Sequence, residues 1–254
     1  MYQGYLIDLD GTMYNGETVI DGAKVFIDRL NEHNIPYLFL TNNATKSQEE
    51  ATEKLLKMGF DVSKERMYTS SMATAEYLKT HHSGESAYVV GTDSLKTLIE
   101  KAGLHVTEGR AEVVVMGLDT DVTYNKLKEA SLLVAGGASF IATNLDKKFP
   151  TEYGFVPGNG SLVQVVMETT NKKPVIIGKP EHHILEAALK RMKLDKENVA
   201  MIGDNYDTDI MTGINGGIDT IHVNTGVTPL EDILKKDVKP NHAVNNLAEW
   251  SVLS

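Results

Sequence analysis

Two aspartates separated by a single residue, Asp8 and Asp10, follow a short apolar segment near the start of the chain. Residues 5–7 are typical of a buried strand, and alternate residues of an extended chain point to the same side. Two carboxylates on one side repel each other unless a divalent cation, a proton or a bound substrate offsets their charge. Gly11 then allows a sharp turn and a close approach of the backbone to a ligand. The segment therefore favours carboxylate chemistry, although such a string taken alone is more often a polar turn.

Three further apolar segments end in polar residues in the same way. The residues that follow segments 35–40, 174–177 and 198–202 include Thr41, Asn42, Gly178, Lys179, Asp204 and Asp209. Each segment precedes a helical pattern, and this alternation is typical of repeated β-α units around a parallel sheet. In such sheets ligands bind outside the carboxyl ends of the strands. One edge of the sheet is therefore expected to gather Asp8, Asp10, Thr41, Lys179, Asp204 and Asp209.

The composition limits the classes of partner. The chain has 254 residues, of which 41% are hydrophobic, so a substantial core can form in one large or two modest domains. Its formal net charge is −10 and its pI is about 5.3, which argues against a surface for nucleic acid or for an anionic membrane. The chain contains no cysteine, which excludes disulfides and cysteine-bound zinc. No secretory signal or membrane-spanning run is recognisable, and a cytoplasmic protein is expected.

The spacing of apolar residues predicts alternating strands and helices. Predicted strands cover residues 4–8, 35–40, 87–90, 113–116, 140–142, 174–178, 199–203 and 218–223. Predicted helices cover residues 22–34, 46–58, 71–81, 93–102, 123–135, 160–170, 181–193 and 208–214. The pattern predicts an α/β fold, with a three-layer, Rossmann-like parallel-sheet core and an inserted, smaller α/β cap domain. The core is assigned to residues 1–80 and 175–254 and the cap to 81–174, with the polar segments 81–86 and 169–174 as hinges.

The four strand ends resemble the four motifs of the haloacid dehalogenase-like superfamily, in its phosphatase branch. Asp-Leu-Asp-Gly-Thr at 8–12 is similar to the first motif, Leu-Thr-Asn-Asn at 40–43 to the second, Lys179 to the third, and residues 203–209 to the fourth. The insert resembles the type-two cap of the NagD-like subfamily, through Thr-Asn-Leu-Asp at 143–146 and Pro-Gly-Asn-Gly-Ser at 157–161. The resemblance covers essentially the whole chain.

The resemblance implies hydrolysis of a phosphate ester with Mg²⁺ as the cofactor. Asp8 would be the nucleophile, and Asp10 would protonate the leaving oxygen and later activate water. The implied metal ligands are Asp8, the main-chain carbonyl of Asp10, Asp204 and Asp209, the last bound directly or through water. The implied phosphate ligands are the hydroxyl of Thr41, the main-chain amides of Asn42 and Leu9, and the ammonium of Lys179.

The resemblance also gives the insert a role. Asp146 and Asn159 would lie in loops that face the leaving group, and they are predicted to influence the choice of substrate. The expected partner is a small phosphorylated metabolite, such as a sugar or acid-sugar phosphate, a nucleoside monophosphate or pyridoxal phosphate, with no nucleic acid and no membrane. The cap surface is a candidate contact for a homodimer, and its closure would exclude water.

Other functions stay open at this stage. The same acidic pocket suits a signalling domain that accepts phosphate, although receiver domains are far shorter and need no acid at position 10. A dehalogenase on this core needs neither a metal nor Asp10, so the pair of acids argues against it. A protein that binds phosphate without turnover is a third alternative. Taken singly, Lys179 is compatible with an exposed lysine at a helix start, and Asp204 and Asp209 with turn and N-cap residues.

Overall fold

The structure, a computed structural model, describes residues 2–151 and 153–252. By their contacts these residues fall into two compact units. The first unit contains residues 2–41, 48–68 and 179–252, and the second contains residues 42–47, 69–151 and 153–178. None of the helices in the described ranges is long and apolar enough to cross a membrane.

The elements begin with a strand, a hairpin and alternating helices and strands. They are β1 (Gly4–Ile7), β2 (Tyr14–Asn15), β3 (Thr18–Val19), α1 (Ala23–Glu32), β4 (Tyr37–Thr41), α2 (Gln48–Lys57) and β5 (Met67–Thr69). Helix α1 buries Phe26, Ile27 and Leu30, whose spacing of three and four residues places them on one face. A helix was predicted over residues 22–34, and α1 forms within that range. Its apolar face packs in one core with buried residues of the strands β1 and β4.

The elements of the second unit follow in the chain. They are α3 (Ser70–His81), β6 (Ser86–Val90), α4 (Asp93–Lys101), β7 (His105–Val106), β8 (Val113–Met116), α5 (Tyr124–Ala135), β9 (Ser139–Ala142), β10 (Lys148–Thr151), β11 (Gly154–Pro157), α6 (Asn159–Thr170) and β12 (Val175–Ile176). Helices α4 and α5 begin after threonines, Thr92 and Thr123, whose side chains accept hydrogen bonds from main-chain amides of the first turn.

The chain then completes the first unit. The remaining elements are α7 (His182–Met192), β13 (Val199–Gly203), a π-helical turn (Tyr206–Ile210), α8 (Met211–Gly216), β14 (Asp219–Val223), α9 (Leu230–Ile233) and β15 (His242–Val244). Short 3₁₀ turns cover Lys64–Arg66, Lys196–Asn198 and Leu247–Glu249.

Each unit has its own parallel sheet. Six described strands of the first unit form one sheet in the order β15-β14-β13-β1-β4-β5, and β2 and β3 form a separate hairpin. In it, β1 lies between β13 and β4, and Ile7 is paired with Ile202 on one side and Phe39 on the other. Five described strands of the second unit form one sheet in the order β12-β9-β8-β6-β7, and β10 and β11 form a separate antiparallel pair. The predicted α/β class, with a parallel core and a second α/β sheet, is confirmed.

The prediction was wrong about the strand at 174–178, which it placed in the core. Strand β12 pairs with β9 of the second sheet, with Val175 opposite Ile141 and Ile176 opposite Ala142. The amide of Ile177 extends this pairing by donating to the carbonyl of Ala142 at 3.0 Å. The chain therefore finishes the second sheet before it returns to the first unit at Lys179.

The contacts also place α3 and the predicted hinge segments 81–86 and 169–174 inside the second unit, whereas the prediction assigned α3 to the core. The hydroxyl of Ser70, at the start of α3, donates to the carbonyl of Asn42 within that unit. The edge strands β5 and β15 were missed because each has three residues, too few for a periodic pattern.

Candidate active site

The carboxyl end of β1 carries the first candidate side chain. The amide of Asp8 donates to the carbonyl of Ile202 in β13 at 2.9 Å, so the residue continues the sheet for one more step. Beyond it the backbone turns back, with Gly11 at a φ of 87°, a conformation that favours glycine. Asp8 as a whole residue is 8% exposed. A carboxylate is thus held near the middle of the sheet edge with little access to water.

Lys179 joins this carboxylate to a second one. Its Nζ lies 2.5 Å from Oδ1 of Asp8 and 2.7 Å from Oδ1 of Asp209. Asp209 lies in the π-helical turn after β13, and its Oδ2 accepts the main-chain amide of Asn205 at 3.0 Å. Lys179 is 2% exposed and Asp209 is 1% exposed. The alternative interpretation of Lys179 as an exposed lysine at a helix start is therefore excluded.

Residues 225–228, which follow β14, form a loop that contacts Asp204 and that the sequence did not predict as part of the site. We call it the 225–228 loop. The amide of Val227 donates to Oδ2 of Asp204 at 2.5 Å, and the hydroxyl of Thr12 donates to Oδ1 at 3.2 Å. The amide of Thr228 donates to the carbonyl of Asp204. The available signal was the pair Thr225 and Gly226 after the last predicted strand, 218–223, but a main-chain donor cannot be recognised from the type of its side chain.

Two glycines fit around this carboxylate. A Cβ on Gly226 would overlap the carboxylate of Asp204 and lie 2.9 Å from Cα of Gly11. A Cβ on Gly11 would overlap the same carboxylate from its own side. Asp204 therefore lies between two backbone segments that approach it as closely as only glycine permits.

The three buried acids Asp8, Asp204 and Asp209 form what we call the acidic cluster. Burial, and next the charge of Asp209, raise the pKa of Asp8 well above its usual range, and Lys179 offsets only part of this effect. Burial and the charge of Asp209 likewise raise the pKa of Asp204 to about 7. Burial alone would lower the pKa of Lys179, but the carboxylates of Asp209 and Asp8 outweigh it, and the pKa is raised.

The charges of the acidic cluster are not balanced. When all three buried carboxylates are ionised, the one buried ammonium leaves two negative charges that burial makes costly. One carboxylate oxygen from each acid lies within 4.8 Å of the other two, an arrangement suited to a metal ion. Oxygen ligands without cysteine or histidine suit a hard divalent cation such as Mg²⁺. The residues therefore fit a divalent metal by charge, by ligand type and by spacing.

Three predicted residues lie near the cluster in the first unit but outside it. Asp10 is exposed, and its Oδ2 accepts the hydroxyl of Tyr14. Leu9 has a buried side chain, and its carbonyl accepts the amide of Met13 at 2.8 Å. Thr41 ends β4, the strand beside β1, and is 5% exposed.

The other predicted residues belong to the second unit. The side-chain amide of Asn42 donates to Oδ1 of Asp146 at 3.2 Å, and the main-chain carbonyl of Asn42 accepts the side-chain amide of Asn144 at 2.9 Å. Asn159, expected in a loop, is instead the first residue of α6 and is 1% exposed. Its side-chain amide donates to the main-chain carbonyl of Asn144 at 2.8 Å and to that of Met116 at 3.1 Å. We call Asn42, Asn144 and Asn159 the amide cluster.

Comparison with known proteins agrees with this geometry. Residues 5–105 match the family described as haloacid dehalogenase-like hydrolase, and residues 176–250 match one described as HAD-hydrolase-like. An acid sugar phosphatase of Staphylococcus haemolyticus is 51% identical over 97% of this chain and 94% of that protein. The corresponding Staphylococcus aureus protein is 51% identical over 98% and 96%.

The chain is also similar along nearly its whole length to solved structures of phosphatases. A double mutant of thermostable NPPase from Geobacillus stearothermophilus has a TM-score of 0.93 and 43% identity, and the match covers 98% of both chains. A 4-nitrophenylphosphatase from Thermotoga maritima has a TM-score of 0.93 and 34% identity over 98% of this chain and 95% of that one.

Proposed function

This chain belongs to the haloacid dehalogenase-like hydrolase family and is a phosphatase of that type, and from this premise we propose which substrates and residues it uses. The substrates are small phosphorylated metabolites, with sugar and acid-sugar phosphates first and nucleoside monophosphates second. The names of the staphylococcal relatives support that order. The observation that carries the proposal is the buried contact of Asp8 with Lys179 inside an acidic cluster of excess negative charge.

We propose that Asp8 is the nucleophile. One oxygen of its carboxylate would form a bond to phosphorus while the bond from phosphorus to the leaving oxygen breaks, which produces an aspartyl-phosphate. Asp10 would donate a proton to the leaving oxygen, then take a proton from the water that attacks phosphorus and restores Asp8. Burial of Asp8 and exposure of Asp10 support this division, because a nucleophile gains from desolvation whereas a proton carrier must reach the leaving group.

The remaining ligands follow the same proposal. Asp8, Asp204, Asp209 and the main-chain carbonyl of Asp10 would hold Mg²⁺, which supplies positive charge against the phosphoryl group when it is bound. Lys179 would stabilise the negative charge that spreads over the phosphoryl oxygens in the transition state. The other phosphate ligands would be the hydroxyl of Thr41 and the main-chain amides of Asn42 and Leu9.

For the second unit we propose an influence on substrate choice. Asp146 accepts the side-chain amide of Asn42, so its replacement is expected to shift a proposed phosphate ligand. Asn159 is too buried for direct contact with a substrate, and its effect would pass through the main chain of Asn144. A homodimer formed through the second unit stays a prediction.

The test is phosphate release from a panel of phosphorylated metabolites, with Mg²⁺ and with a chelator. We expect turnover of several sugar and acid-sugar phosphates that stops when the metal is chelated. A phosphate-accepting signalling protein would instead take up one phosphoryl group per chain and stop, and a binding protein would release none. Release that is indifferent to the chelator would contradict the proposed metal site.

A further inference from the structure

Tyr14 is a buried tyrosine whose hydroxyl reaches the side chain of Asp10. The hydroxyl lies 3.4 Å from Oδ2 of Asp10, and Tyr14 is 5% exposed. The turn between them is fixed by main-chain bonds, since the amide of Gly11 donates to the carbonyl of Tyr14 at 2.8 Å. Backbone geometry thus returns residue 14 to the side of residue 10, where the two form a β-bridge.

The ring of Tyr14 has little freedom to move. It belongs to the apolar core of the first unit, and its residue pairs with Val19 in the β2–β3 hairpin. The ammonium of Lys54, from α2, lies 3.8 Å from the ring centroid, a cation–π contact with the face of the ring. Because an ionised carboxylate oxygen can only accept a hydrogen bond, the hydroxyl of Tyr14 is the donor to Asp10.

We infer that Tyr14 is a positioning residue for Asp10, an inference that rests on the proposed function. Its hydroxyl holds one carboxylate oxygen, so that proton exchange with the leaving oxygen and with water falls to the other. Asp10 needs such a constraint because it is exposed, and small errors of orientation cost a proton-transfer step much of its rate. A distance of 3.4 Å is long, but hydrogen bonds of catalytic groups often tighten only when the substrate is bound.

The test compares Tyr14→Phe with Tyr5→Phe. Both rings are buried in the same core, and each replacement removes one hydroxyl that takes part in a hydrogen bond, since Tyr5 accepts Nε1 of Trp250 at 3.2 Å. For an alkyl phosphate we expect Tyr14→Phe to lower kcat roughly tenfold with little change in KM, and Tyr5→Phe to stay within about twofold of wild type. For p-nitrophenyl phosphate, whose leaving group needs less protonation, the loss should be smaller.

For each variant, the ratio of its rate with the alkyl phosphate to its rate with p-nitrophenyl phosphate does not depend on how much of the protein is folded. A loss of stability therefore cannot produce the expected difference between the two substrates. In an Asp10→Asn background, Tyr14→Phe should cause no further loss, because the group it positions is gone. Equal losses for both substrates, or a full loss that persists in Asp10→Asn, would overturn the inference. If wild type itself releases no phosphate from any ester, the proposed function fails instead.

Discussion

The two parallel sheets carry polar clusters of opposite character at their carboxyl ends. In the first unit, the acidic cluster follows β1 and β13 and leaves negative charge uncompensated. In the second unit, the amide cluster lies beside the ends of β8 and β9, where neutral amides donate to main-chain carbonyls. Both clusters are buried. The rule that polar residues gather at the carboxyl ends of parallel strands therefore points to a candidate site in each sheet. The balance of charge then distinguishes the acidic cluster from the amide cluster.

The difference shows what each cluster can do. A buried group of like charges costs free energy unless a ligand completes it, so the acidic cluster is suited to bind a cation and an anionic group together. Neutral amides carry no excess charge, and the side-chain amides of Asn42, Asn144 and Asn159 donate hydrogen bonds that contribute stability and shape, although Oδ1 of Asn159 is buried without a hydrogen-bond partner among the described residues. We therefore expect substitutions in the first cluster to affect chemistry most, and those in the second to affect stability and substrate choice.

The largest effect is expected from Asp8→Asn. An amide is a poor nucleophile and a weaker metal ligand than a carboxylate, so turnover should fall by roughly 10⁴-fold or more while the fold is kept. Steady-state phosphate release and circular dichroism would measure the two properties. A variant with near wild-type turnover would remove Asp8 from the mechanism.

Asp10→Asn should be the next most severe change. Loss of a general acid–base group costs roughly 10²–10⁴-fold in rate, and esters with poor leaving groups should lose most because they depend on protonation. Rates with a series of aryl and alkyl phosphates would show this trend. An equal loss for an activated aryl phosphate would mean that Asp10 has a structural role.

Gly226→Ala tests the close packing around Asp204. The added methyl group would overlap the carboxylate, which must then shift away from its amide donor. We expect the Mg²⁺ concentration for half-maximal activity to rise at least roughly tenfold, as for a disturbed partner of a metal ligand. Gly109→Ala is the matched control, because the nearest atom to its new Cβ lies 4.0 Å away. The same Mg²⁺ requirement in both variants would argue against Asp204 as a ligand.

The pKa of Asp204, raised from 3.8 to about 7, predicts a dependence on pH. A carboxyl whose pKa is higher in the folded protein binds its proton more tightly there, so without metal the free energy of unfolding should fall as pH rises between these values. Protons also compete with Mg²⁺, so affinity should fall by up to about tenfold per pH unit below 7. Calorimetric titrations across this range would measure the effect, and a constant affinity would contradict it.

The smallest effects on chemistry are expected in the second unit. Asp146→Ala and Asn159→Ala should change the relative kcat/KM of different esters more than they change the Mg²⁺ requirement. Asn159→Ala should also cost about 1–3 kcal/mol of stability, because buried acceptors lose their donor. Kinetics on several substrates, together with thermal unfolding, would separate the two variants. Small and uniform changes across the panel would place substrate choice elsewhere.

The sequence predicted most of the first cluster because its chemistry is carried by ionisable side chains that directly follow apolar strands. Asp8, Lys179, Asp204 and Asp209 could be recognised in this way, and the structure brings them together. The alternation of strands and helices likewise predicted the α/β fold. Neither pattern says which sheet a strand joins, and β12 was therefore placed in the wrong one.

Other features have no sequence signal of comparable strength. The 225–228 loop binds Asp204 through a main-chain amide, which every residue except proline possesses. Asn159 is equally compatible with an exposed loop and with a buried helix start until its neighbours are known. The contact between Tyr14 and Asp10 depends on a turn whose return path is set by main-chain hydrogen bonds.

The central claim is that Asp8 attacks phosphorus, and trapping of the intermediate tests it most directly. The protein would be mixed with a ³²P-labelled acid-sugar phosphate and Mg²⁺, quenched in acid within the first turnover, digested and mapped by mass spectrometry. The account predicts label on the peptide that contains Asp8, and none on that peptide in Asp8→Asn. Rapid hydrolysis by wild type without label on Asp8 at any quench time would contradict it.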